Sequence, residues 1–110
     1  MEIFNRALAL EMVGEEIELL QELERSFVYD KIFSLKELET LEQKNSLEAA
    51  AYVHSFKGAA RQIAAEKAAY SGQMLENVLR GKAEGNLVEL NENFSRTLSE
   101  AIDTIKKDLE

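Results

Sequence analysis

Apolar residues recur every three to four positions along five stretches of the chain, and each stretch predicts a helix. The first, over about residues 2–12, carries Ile3, Phe4, Ala7, Leu8 and Leu10, and is short enough to serve as a packing cap. The second begins at Glu15 and Glu16, acidic residues suited to a helix N-terminus, and continues through Leu20, Leu23, Phe27, Val28, Ile32, Leu35 and Leu38 to about Lys44. Its roughly 30 residues would span ~45 Å. The third starts from a cap at Asn45 or Ser46, where Glu48 completes a capping box with Asn45, and ends near Gln62 or Ile63. The fourth, about 65–81, presents Ala68, Gly72, Leu75 and Leu79 and stops at Gly81; the fifth, about 86–109, carries Leu87, Leu90, Phe94, Leu98, Ile102, Ile105 and Leu109. Four long helices with short connections predict an all-α, antiparallel up-and-down four-helix bundle with a short N-terminal capping helix, built as one domain over residues 1–110.

Composition agrees with this class. There is no proline, and glycine is confined to positions 14, 58, 72, 81 and 85, so the turn punctuation of a β protein is missing. The absence of cysteine excludes disulfides, thiolate metal sites and cysteine nucleophiles. A formal net charge of −8 repels a phosphate backbone, so no nucleic acid partner is expected. No apolar run approaches the roughly 20 residues that cross a bilayer, and Met1-Glu2-Ile3-Phe4 lacks the basic start of a signal peptide. A cytoplasmic protein without membrane contact of its own is expected.

Imidazole chemistry rests on one residue, His54, which rules out metal sites that need two imidazoles. With His54 at zero on a helical wheel of about 100° per residue, Ile63, Phe56, Ala49, Ala60 and Tyr52 fall on the opposite, apolar side. Around the histidine lie Ala50 and Gly58 within about 40°, Arg61 at about −20°, Ala51 at about 60° and Lys57 at about −60°. A glycine in mid-helix costs about 0.5–1 kcal/mol relative to alanine, so Gly58 one turn beyond the histidine calls for a reason. A ledge of small side chains lets another molecule approach the ring, and Lys57 is placed to pair with an anion on it. Neutral imidazole carries a nucleophilic lone pair, which suits phosphoryl transfer. The chain has no GxxxxGK[ST] loop, no GxGxxG loop and no paired aspartates near the histidine, so donor, acceptor and magnesium must come from a partner.

The segment His54-Ser55-Phe56-Lys57-Gly58-Ala59-Ala60-Arg61-Gln62-Ile63 strongly resembles the histidine-containing phosphotransfer (HPt) domain of two-component phosphorelays, whose signature is H-x-x-K-G with an apolar residue five positions after the glycine. The similarity extends to Gly14-Glu15-Glu16 before the second helix, Asn45-Ser46 before the histidine helix, and Leu75-Glu76 and Arg80-Gly81 at the end of the fourth. The resemblance implies that His54 is the phosphoacceptor, that Lys57 steadies the phosphoryl group and that Gly58 leaves room for it. Arg61, Gln62 and Arg80 would support the site, and Ala50, Ala51 and Ser55 would form part of the partner surface. Ala64 stands where the family usually has glycine, which puts a left-handed C-cap there in doubt and suggests a helix that ends differently or runs on a little.

By this resemblance the chain would be a phosphorelay intermediate, not an autonomous enzyme. It would take a phosphoryl group from a receiver-domain aspartate, or directly from a sensor histidine kinase, and pass it to a response regulator. It would bind no cofactor, with Mg2+ supplied only by the partner receiver domain. The alternative is a helical binding or scaffold module with a vestigial histidine, against which the retained H-x-x-K-G counts.

Overall fold

A computed structural model describing residues 1–110 is entirely helical. Helix α1 runs over Arg6–Met12, α2 over Ile17–Arg25, α3 over Leu35–Lys44, α4 over Ser46–Gln62, α5 over Glu66–Leu79 and α6 over Leu87–Leu109. The bundle has four antiparallel members, α2 with α3, then α4, α5 and α6, and α1 lies on it as a short additional helix.

Most ends follow the sequence signals. The Asn45 side chain accepts from the backbone N–H groups of Leu47 and Glu48 and so starts α4; Asn86 caps α6 by accepting from Glu89. At the end of α5, Gly81 takes φ +74° while the Lys82 N–H reaches back to the Asn77 carbonyl at 2.8 Å, the double-bonded stop that favours glycine. Helix α1 begins later than expected, at Arg6 behind an Asn5 cap. Residues before it are non-helical, with the Glu2 N–H donating to Glu66 Oε1 at 3.0 Å.

The second helix departs most from expectation. It starts at Ile17, because Gly14 and Glu15 both adopt left-handed conformations at φ +66° and +64°, which leaves Glu15 outside the helix. It is also split. Beyond Arg25 the chain makes one π turn, Ser26–Asp30, turns extended at Lys31 (φ −146°, ψ 117°), and resumes as α3. Aromatic packing drives the break. Phe33 turns inward among Tyr52, Phe56 and Phe94, with ring centroids at 5.7, 5.3 and 5.3 Å, and the Ser34 N–H donates to the Tyr52 hydroxyl at 3.0 Å. Ser34 then caps α3 through its side chain.

Ala64 resolves the question at the end of α4: it does adopt the left-handed conformation, at φ +57°, despite its Cβ. The Ala65 N–H reaches the Ala60 carbonyl at 2.9 Å, and the Asn5 N–H donates to the Ala64 carbonyl at 2.9 Å, so bonds from two directions hold the strained residue. The helix therefore stops where a glycine would have stopped it.

Leu20, Leu38, Val53, Leu75, Phe94 and Ile105 form the middle of the core. Between α4 and α5 the seam is lined by small residues, among them Ala49, Ala60 and Ala68. Gly72 lies on this seam, where a Cβ would stand 2.8 Å from the Phe94 ring and 3.0 Å from the Lys57 Cβ. That absence lets α5 come close enough to α4 to meet the charged residues described next.

Candidate functional site

His54 stands near the middle of α4 with its side chain 60 % exposed, as the wheel predicts. The ring is not free. Nδ1 lies 3.1 Å from both carboxylate oxygens of Glu76 on α5. Glu76 also meets Lys57 Nζ at 2.8 Å through Oε1 and Arg80 Nε at 2.8 Å through Oε2. Lys57 Nζ donates in addition to Gln73 Oε1 at 2.9 Å, and Gln73 Nε2 donates to Asn77 Oδ1 at 2.8 Å. One buried carboxylate thus gathers an imidazole, an ammonium and a guanidinium.

Burial alone would raise the Glu76 pKa, but hydrogen bonds from Lys57, Arg80 and His54 outweigh it and bring the carboxyl down to about 2. Glu76 is therefore ionised at neutral pH and can only accept. A neutral His54 must then carry its proton on Nδ1, and the lone pair is left on Nε2, on the far edge of the ring.

Lys57 is placed differently from the sequence expectation. It is buried, at 4 % exposure, and its ammonium is committed to Glu76 and Gln73 instead of standing free beside the ring. Ala50, expected on the partner surface, is fully buried. Both differences have one cause: α5 covers the side of α4 from Ala50 and Lys57 round to the core, which puts His54 at the edge of the α4–α5 seam. The open ledge consists of Ala51, Ser55 and Gly58, and the space a Gly58 Cβ would enter is empty within 4 Å. Arg80 joins the site through Glu76. Arg61 and Gln62 are exposed, and neither contacts this cluster.

Sequence reasoning gave no site role to Glu76, Gln73 or Lys31. The i,i+4 spacing of Glu76 and Arg80 was the available signal for the first. Lys31 reaches across from the break after α2: its ammonium donates to Ser55 Oγ and lies 4.5 Å from the centroid of the Phe56 ring. Behind it a cavity of about 580 Å³ runs between α4, the π turn and α6, with Leu23, Phe27 and Ile102 in its wall and Lys31, His54 and Gly58 at its polar side.

No group of histidine, cysteine, aspartate and glutamate side chains is arranged to hold a metal ion, and no helix is long and apolar enough to cross a membrane. Searches among curated proteins and solved structures give no significant match. The family model of the Hpt domain matches residues 7–108 of the 110. With the match reaching from α1 into the last turn of α6, the chain belongs to the Hpt domain family.

Proposed function

We propose that His54 accepts a phosphoryl group on Nε2 from a receiver-domain aspartyl phosphate, or from a sensor histidine kinase, and passes it to a response regulator. Membership of the family implies histidine phosphotransfer in two-component systems. The observation that carries the assignment to this residue is the orientation of its ring: Nδ1 faces the Glu76 carboxylate at 3.1 Å while the side chain remains largely exposed.

The chemistry follows from that orientation. The Nε2 lone pair attacks phosphorus, the P–O bond to the donor aspartate breaks, and the carboxylate leaves with its electron pair. The ring keeps its proton on Nδ1 and becomes cationic, and Glu76 supplies the compensating charge without taking the proton, since its pKa lies near 2. A protonated ring is also a good leaving group, so the P–N bond stays ready for the next acceptor. Lys57 and Arg80 hold Glu76 in place and act through it. Gly58 leaves space for the phosphoryl group, and Ala51 and Ser55 border the face on which a partner docks. Mg2+ belongs to the receiver partner, and the chain itself works as a carrier.

Incubation with a phosphorylated receiver domain and magnesium should move label onto the chain in an acid-labile, base-stable form. His54→Gln should abolish labelling while the chain stays folded, since Lys57 and Arg80 still hold the Glu76 carboxylate, as a cooperative thermal melt would check. Label that survives the substitution would refute the assignment.

A further inference from the structure

The cations on the α5 side of His54 are already engaged. Lys57 is buried and bonded to Glu76 and Gln73, and Arg80 Nε is bonded to Glu76. Since Nδ1 is turned toward Glu76, Nε2 is on the ring edge away from that carboxylate. Lys31 reaches α4 at Ser55, the next residue along the chain from the histidine. It has no carboxylate within 4.0 Å, and its ammonium rests on a neutral hydroxyl, Ser55 Oγ, and on the Phe56 ring face. A cation held only by neutral groups, in a chain of net charge −8, is free to exchange a weak partner for an anion. Lys31, His54 and Gly58 line the same cavity, and the space a Gly58 Cβ would enter is empty within 4 Å.

Building on the phosphotransfer reading above, we propose that Lys31 is the direct cationic contact of the phosphoryl group on His54, its ammonium leaving Ser55 to bind a phosphoryl oxygen. The break after the π turn is what makes this contact possible. A continuous helix would carry position 31 along the bundle, whereas the extended backbone at Lys31 and the inward turn of Phe33 bring the side chain onto α4. The break thus supplies from a third element what the H-x-x-K-G lysine, committed to Glu76, does not.

The test uses phosphoramidate, a small N-phosphoryl donor that needs no protein partner, so that docking does not enter. Loading of His54 and the titration of the phosphoryl group are followed by 31P NMR in the wild type and in Lys31→Gln, Lys31→Arg and Lys36→Gln. In Lys31→Gln, loading should slow about three- to tenfold and the phosphoryl titration midpoint should rise, as expected from loss of one charge-assisted contact. Lys31→Arg should restore both. Lys36→Gln, which removes an equal charge from an exposed site on α3, should match the wild type. Wild-type behaviour in Lys31→Gln, or an equal loss in Lys36→Gln, overturns the role of Lys31 and leaves phosphotransfer standing. A wild type that takes no label at all overturns the phosphotransfer reading, and this proposal with it.

Discussion

Glu76 holds the His54 ring from a neighbouring helix, with Nδ1 at 3.1 Å from both of its oxygens. Replacing it with glutamine keeps the shape and one acceptor oxygen but removes the charge that compensates a cationic ring, and leaves the buried Lys57 ammonium with neutral partners only. Glu76→Gln should therefore slow phosphoryl transfer by about ten- to a hundredfold, measured as the rate of label uptake from a phosphorylated receiver, and should also lower the thermal midpoint. Gly58 separates the two properties in the opposite sense. It has no left-handed φ and nothing within 4 Å of its absent Cβ, so Gly58→Gln should stabilise the fold by up to about 1 kcal/mol while transfer falls, because the new side chain fills the phosphoryl space. Urea melts and transfer assays on the same preparation check both halves. The exposed histidine, the mid-helix glycine beside it and the open face were readable from H-x-x-K-G and a wheel. The Glu76 cluster was not, because a wheel drawn on one helix contains no information about where the next helix lies, and that is what decides whether Lys57 at about −60° is solvated or buried.

At the level of elements, α6 shows what periodicity does well. Seven apolar positions from Leu87 to Leu109 keep helical spacing, and the observed helix ends where they end. The second helix shows the limit of the same signal. Phe27, Val28, Leu35 and Leu38 continue the spacing straight through the break, since they face one core, while Ile32 in the same stripe is exposed where the chain turns extended. The contrary signal is polar and local: Ser34 with Glu37 three residues later has the spacing of a capping box, and its N-cap half, the Glu37 N–H on Ser34 Oγ, marks a new helix start inside an uninterrupted apolar stripe. A second local feature sits before α2, where Glu15 bears the strain of a left-handed residue on the surface without a tertiary bond to offset it. Glu15→Gly should stabilise the protein by roughly 0.5–1 kcal/mol in denaturant melts, with phosphotransfer unchanged.

Over the whole molecule, two buried carboxyls make stability depend on pH in opposite directions. Burial first, and then the neighbouring Asp108, push the Glu24 carboxyl up to about 8; Glu24 is fully buried, and neither of its oxygens has a partner at normal hydrogen-bond geometry. On the Asp108 side, burial is opposed by the Glu24 proton and by Arg6, which together hold that carboxyl below its ordinary range. Glu24 binds its proton more tightly in the folded chain, so its contribution is fully present below pH 4.5 and is lost as pH rises through about 8. Glu76, depressed to about 2, contributes above pH 4.5 and loses that contribution as pH falls. Thermal midpoints should therefore peak near pH 5 and decline toward pH 8, and Glu24→Gln should remove most of the decline, raising the midpoint at pH 8 by several degrees. The same corner of the fold has a geometric consequence. Arg6 grips Asp108 at 2.8 Å, and the Asn5 N–H holds the Ala64 carbonyl, so both ends of the chain emerge at one pole of a bundle 41 Å long. His54 lies ten residues back along α4 from that pole, about 15 Å up its flank. A linker fused to either end would act as a pivot there, and the tethered domain would sweep His54 through an arc past a partner instead of presenting it end-on.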